Sequence, residues 1–317
     1  MLNLNIVITG INISFWSDYQ VDMVCLKDLL YSHIHESREY ASDSHDVIIY
    51  SSKDAQGISP DALFRWEGTV NSDMPVRWYE SKDGKEKYAC INNDIQIQYI
   101  PERKLTVCYL LEKKRKFCRT KRPALSTYIF FLLQSILSVH GKYCLHAACV
   151  AKGEFSWLFL GKSGEGKSTI SYLLSKAGYE FMGDDLVFIS KNQQGTLQID
   201  ALLCKVKIYN EKIKQKESFD IIKQEGFAFS LRSRIGAIIR LQRTWDNKKS
   251  TLLSADPSEV FSWLMEAGNN SRIQNDPEEW VNICVEATTL PAYTLLFADK
   301  AHFDPQLLES SEKLLIP

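Results

Sequence analysis

Eight cysteines are scattered through this chain without one C-x-x-C pair, and two of them, Cys144 and Cys149, sit inside an apolar segment. That spacing offers no zinc motif, so reduced cysteines used mainly for packing are expected. An excess of charge of one sign is also lacking, since 38 Lys and Arg stand against 39 Asp and Glu for a formal net charge of -1. Nothing global attracts nucleic acid or an anionic membrane, so neither is expected as a partner and recognition must come from local sites. The stretch Met1 to Gly10 alternates apolar and polar residues where a secretory signal would carry a basic segment and then an apolar one. The longest apolar-rich stretch, Tyr128 to Val139, is interrupted by Gln134 and Ser135 and is too short to span a bilayer. These absences predict a cytoplasmic protein. There is no internal repeat and no low-complexity tract.

What is present is an ordinary globular composition. With 317 residues, 45% hydrophobic and 24% charged, the chain can bury one large core or two smaller ones. Two domains are expected, 1–122 and 123–317. In the first, short alternating segments such as Val47 to Tyr50, Ile95 to Ile100 and Leu105 to Leu110 mix with turn-rich pieces such as Ser81 to Gly84, which predicts a strand-rich domain. A basic run, Lys113 to Arg122, is closed by Pro123 and followed by apolar residues at helical spacing from Leu125 to Val139. It reads as a connector and then a buried helix. Aromatic residues do not alternate with the charges of that run, so a base-stacking groove is the weaker reading of it.

From Tyr143 onward the pattern is strand (Tyr143 to Ala151), strand (Phe155 to Leu160), glycine loop, helix (Lys167 to Ala177) and strand (Leu186 to Ser190). Strands over Gly195 to Ile208, a strand Ile235 to Leu241, a helix Pro257 to Glu266 and a strand near Tyr293 to Phe297 follow. This alternation predicts an α/β core.

Between the second strand and the helix lies Gly161-Lys162-Ser163-Gly164-Glu165-Gly166-Lys167-Ser168, which satisfies G-x-x-x-x-G-K-[ST] in its proper context. Glycines let the chain turn sharply and bring N–H groups against phosphate oxygens without a Cβ in the way. The helix that follows directs its positive end at the same anion. Lys167 is the expected cation for the β and γ phosphates of ATP, and the Ser168 hydroxyl is an expected ligand of Mg2+. The nucleotide-binding set runs from Gly161 through Thr169.

A second constellation, Asp184-Asp185, follows Gly183 and precedes an apolar strand. Adjacent carboxylates repel each other unless a cation or a shared proton compensates, and a Mg2+-nucleotide supplies the cation. One carboxylate can then hold the metal while the other accepts the proton of an attacking hydroxyl. A solvated acidic turn or a helix cap is the bland alternative. The residues before Asp184 are not the four apolar positions of an ordinary Walker B strand.

Together, Leu145-His146-Ala147-Ala148, the strand, Gly161 to Ser168, Gly178 and Met182-Gly183-Asp184-Asp185 resemble the catalytic domain of HPr kinase/phosphorylase and related kinases. The strand Ile235 to Leu241 and the ending Leu290-Pro291-Ala292-Tyr293-Thr294-Leu295 resemble the same group, and the match covers roughly Tyr143 to Phe303. The resemblance implies a core similar to phosphoenolpyruvate carboxykinase, with Asp184 as acid/base, Asp185 as metal partner and His146 near the phosphate site. For His146 a hydrogen-bonded place at the end of a buried strand is an equal reading. The glycine-rich signature that accompanies recognition of HPr is not found, and the first zone does not look like that enzyme's N-terminal domain. The resemblance therefore points to the kinases that phosphorylate a serine near the C-terminus of a lasso-type precursor peptide.

The expected activity is ATP- and Mg2+-dependent transfer of a phosphoryl group to a hydroxyl, with Lys167 and Asp184 central and a peptide serine as the favoured acceptor. A small metabolite such as free serine, HPr itself, or a nucleotide-sensing module without turnover stand as alternatives, and a homo-oligomer is compatible with all of them. Arg232 and Arg234, ahead of a strand, and Lys205 and Lys207, on one face of another, are further candidates for phosphate or acceptor contacts. For each pair a solvated surface is the more ordinary fate.

Overall fold

Period-two patterning in the first part of the chain builds a single sheet. The computed structural model describes residues 1–17, 26–27, 30, 43–52, 58–70, 74–91, 95–111, 132–202, 206–210, 215–219, 225–244, 250–268 and 277–297. The chain packs as two units, Met1–Ile136 and Leu137–Pro317. The first holds β1 (Leu2–Ile8), β2 (Ile11–Ser17), β3 (Asp43–Ser52), β4 (Leu63–Val70), β5 (Met74–Glu80), β6 (Lys87–Ile91), β7 (Ile95–Ile100) and β8 (Leu105–Leu111). They lie in the order β1-β2-β3-β8-β7-β6-β5-β4. In β7, buried Ile95, Ile97 and Tyr99 alternate with half-buried Gln96, Gln98 and Ile100, as a one-sided sheet requires. In β2 the buried set is Ile11, Ile13, Phe15 and Ser17. The β1–β2 hairpin turns on Thr9 and Gly10, both at positive φ (54° and 82°), which matches the right-handed twist of the strands it joins.

Helical residues 132–139 bury Leu132, Leu133 and Ile136, and the Tyr99 hydroxyl donates to the carbonyl of Ser135. The basic run Lys113 to Arg122 and the start of the expected helix at Leu125 lie outside the described residues.

The second unit contains β9 (Tyr143–Leu145), β10 (Ala148–Lys152), β11 (Phe155–Leu160), α1 (Lys167–Lys176), β12 (Glu180–Gly183), β13 (Val187–Lys191), β14 (Leu197–Ala201), β15 (Val206–Asn210), β16 (Gln215–Phe219), β17 (Arg232–Arg243), β18 (Thr251–Ser254), α2 (Pro257–Ala267), α3 (Pro277–Ala287) and β19 (Ala292–Phe297). Its main sheet runs β12-β10-β11-β17-β14-β13-β9, with β19 added to β17 and β18 to β19. The neighbouring pairs β11–β17 and β17–β19 are parallel, and the other neighbouring pairs in this sheet are antiparallel. The fold is mixed α/β.

Both faces of this sheet are covered, which is why β11 reads as the nearly continuous apolar run Phe155–Leu160. Trp157 and Phe159 pack with Ile239, Leu241 and the α1 residues Ile170 and Leu174 on one face. Leu158 and Leu160 pack with Ile238 and with Val260, Leu264 and Trp280 of α2 and α3 on the other. Each such side chain stabilises the fold by about 1.5–3 kcal/mol relative to exposure. The entry of α2 is fixed by a capping box, in which Asp256 and Glu259 bond each other's backbone N–H groups ahead of Pro257.

One expected strand is two. Tyr143 to Ala151 divides at His146, because β9 pairs with β13 while β10 pairs with β11 and β12. At the break the His146 N–H leaves the ladder and donates to the carbonyl of Ala267, 3.0 Å away at the end of α2. Among the described residues, Cys90, Cys108, Cys144, Cys149 and Cys284 are buried, and no helix is long and apolar enough to cross a membrane.

Candidate active site

The site forms where β11 ends and α1 begins. Gly166 caps α1 in the left-handed region (φ 98°), and a Cβ added there would lie 3.2 Å from the Phe297 ring, so this position needs glycine twice over. The first helical hydrogen bond runs from the Ile170 N–H to the Gly166 carbonyl (2.9 Å). The first turn, Lys167-Ser168-Thr169, holds no acidic residue, so the positive end of α1 keeps its capacity for an anion. Ser168 and Thr169 are half-buried there, while Lys162, Ser163 and Gly164 of the loop are exposed.

Lys167 is buried and stitches the loop to the helix, its Nζ donating to the carbonyls of Gly161 (2.8 Å) and Lys162 (3.3 Å). The Lys162 N–H donates to the Glu165 carboxylate at 2.5 Å. Burial pushes the Lys167 ammonium below its ordinary pKa, against the opposing charges of Asp185, Asp184 and Glu165, while Arg240 adds to the lowering. Three carboxylates and a second cation therefore lie within electrostatic reach of this one amine.

The carboxylate pair follows β12. Gly183 leaves no room for a side chain, since a Cβ there would be 2.9 Å from Val187 Cγ1. Asp184 is 3% exposed, whereas Asp185 is exposed and held at φ 67°, a strained conformation for a residue with a side chain. His146 Nε2 lies 3.7 Å from Asp185 Oδ1, with the imidazole partly open to solvent. The structure thus brings Lys167, Asp184, Asp185 and His146 to one end of the sheet. A buried carboxylate, an exposed one, a cation and an unblocked helix N-terminus suit a Mg2+-bound polyphosphate in charge and donor type.

The other basic candidates lie elsewhere. Arg232 donates through Nε to Asp200 Oδ1 (2.7 Å), and Arg234 approaches Glu154 at 3.9 Å. Arg234 pairs in register with Phe155, at the start of β11, about 16 Å of strand away from the loop. Lys207 belongs to β15, and Lys205 lies outside the described residues. A cation that sequence reasoning missed is Arg240, opposite Leu160 at the mouth of the loop. Its signal was a lone charge inside the apolar run Ile235 to Leu241.

No family model matches this sequence, and no curated protein matches it. Among solved structures the chain is similar to the Hpr(Ser) kinase/phosphatase from Coxiella burnetii, at 14% identity and a TM-score of 0.33, over 54% of this chain and 91% of that one.

Proposed function

We propose that this protein is a cytoplasmic ATP- and Mg2+-dependent phosphotransferase that moves the γ-phosphoryl group to a hydroxyl, with a serine of a lasso-type precursor peptide as the favoured acceptor. The observation that carries the reading is the junction of β11 and α1, where Lys167 bridges the glycine loop to an open helix N-terminus within electrostatic reach of Asp184 and Asp185. Bound Mg-ATP supplies the phosphoryl group and its leaving group. The chain supplies position and charge. Loop N–H groups and Lys167 would hold phosphate oxygens, and Ser168 and Asp185 would share the metal. Asp184, buried beside them, takes the acceptor's hydroxyl proton. His146 orients the exposed Asp185 carboxylate. Catalysis of this kind needs no covalent step on the protein.

The test is mass spectrometry of the purified protein incubated with Mg-ATP and a panel of serine-ended precursor peptides, HPr and free serine, with Asp184→Asn alongside. A phosphopeptide made by the wild type and lost in the variant supports the reading. Nucleotide binding without any phosphorylated product would refute the peptide assignment and favour a sensor.

A further inference from the structure

Arg240 is a lone charge in an otherwise apolar strand interior. Its neighbours Ala237, Ile238, Ile239 and Leu241 are fully buried, and its register partner Leu160 is the last residue before the glycine loop. The strand end lies directly against that loop, since Leu241 Cβ is 3.4 Å from where a Cβ on Gly161 would stand. Alternation along β17 sends Leu241 toward α1 and Arg240 to the opposite face, where α2 ends. There Arg240 Nη1 donates to Glu266 Oε2 at 2.9 Å, with the arginine side chain 14% exposed and the glutamate 48%. The residue after Glu266 is Ala267, whose carbonyl takes the His146 N–H, and His146 faces Asp185. Arg240 and Glu266 therefore border the same end of the sheet as Lys167, Asp185 and His146.

Two cations that border one loop repel each other unless an anion lies between them. Glu266, about half exposed, is a weak and easily released partner. A phosphate is a better one, because the guanidinium fork matches its oxygens and its charge would serve Arg240 and Lys167 together.

We propose that Arg240 is a second phosphate-binding cation of this site, held on Glu266 in the absence of nucleotide and transferred to the terminal phosphate when ATP binds. This rests on the glycine loop being a nucleotide cradle. Glu266 then competes with the γ-phosphate, and the pair sets the preference for ATP over ADP.

Calorimetric titration of Mg-ATP and Mg-ADP into wild type, Arg240→Met, Arg240→Lys and Glu266→Gln separates the outcomes, with a thermal melt of each variant as control. Arg240→Met is expected to weaken ATP about tenfold more than ADP. Arg240→Lys should recover part of that loss, and Glu266→Gln should tighten ATP several-fold with little change in ADP. If the pair merely braces α2, Arg240→Met and Glu266→Gln will lower the melting temperature alike and leave the ATP:ADP ratio at the wild-type value, which overturns the proposal. Should Arg240→Met fail to fold, the sign of the Glu266→Gln effect on ATP decides alone. Binding of neither nucleotide by the wild type removes the cradle reading itself, and the proposal with it, whereas an unchanged ratio removes only the proposal.

Discussion

The two ends of β17 use the same residue types in opposite ways. At its start, Asp200 is wholly buried and accepts from Lys142 Nζ (2.6 Å), Arg232 Nε (2.7 Å) and Ser190 Oγ (2.5 Å), with Gln198 bonded to Ser190 beside them. At its finish, Arg240 holds a half-exposed Glu266, His146 stands 3.7 Å from an exposed Asp185, and Lys167 spends its donors on loop carbonyls. The first cluster is saturated at short distances, so it resists rearrangement. The second is loosely paired and partly wet, so its groups can change partners when a polyanion arrives. Charge in a buried strand is therefore ambiguous by itself, and the completeness of its pairing separates scaffold from site.

The sharpest way to break this division is to remove the centre of the saturated end. Asp200→Asn leaves Lys142 buried without its counter-charge, and breaking such a pair costs about 3–5 kcal/mol. Denaturant unfolding should show that loss, while nucleotide affinity measured under native conditions stays near the wild-type value. Equal damage to ATP binding would mean that the two ends are one unit. The converse experiment is Gly166→Ala. A side chain in the left-handed region and against Phe297 costs about 2 kcal/mol and displaces the first turn of α1. ATP affinity should fall more than stability does, by calorimetry against the same unfolding assay.

The open end was largely legible in the sequence because its information is local. A strand, a glycine loop with Lys167 and a helix occur in a row, and Asp184-Asp185 announce themselves by adjacency. The saturated end was not, because Lys142 and Asp200 are 58 residues apart and no spacing rule pairs them. Without that partner Arg232 looks like a phosphate clamp, whereas in the fold its guanidinium already has a carboxylate. The break at His146 was hidden for a similar reason, since a change of strand neighbours is a tertiary event inside an apolar run. The helix α3 went unrecognised although Pro277, Glu278 and Glu279 are start signals and Trp280, Ile283, Cys284 and Ala287 are buried at helical spacing. Those four residues span fewer than three turns, and the exposed Val281 and Val285 between them blur the apolar face in the sequence.

A smaller effect tests whether the open end holds strain for a purpose. Asp185 sits at φ 67°, and Asp tolerates this better than most residues, so relief by Asp185→Gly should raise stability by at most about 1 kcal/mol. The same change removes the carboxylate facing His146 and should weaken Mg2+-dependent ATP binding. Higher stability with weaker binding is the signature of a strained functional residue, and lower stability would make Asp185 an ordinary turn residue.

The smallest effect concerns protons, and it separates the two ends by sign. Burial lowers the Lys167 pKa against Asp185, Asp184 and Glu165, and burial lowers the Lys142 pKa against Asp200. Between each lowered value and the ordinary lysine value, the unfolded chain keeps a proton that the folded chain has released, so both lysines make stability rise with pH in that window. On the proposed function, ATP binding should depend on Lys167 in the opposite direction, because phosphate favours the ammonium and must restore the lost proton. Affinity should therefore decline with pH through the Lys167 window while that residue's contribution to stability increases. Lys167→Met is expected to remove both slopes, and Lys142→Met only the stability slope, in paired alkaline titrations of unfolding and ATP binding. A Lys142→Met protein whose ATP profile also flattened would show that protons at the saturated end govern the open one, and the division along β17 would have to be given up.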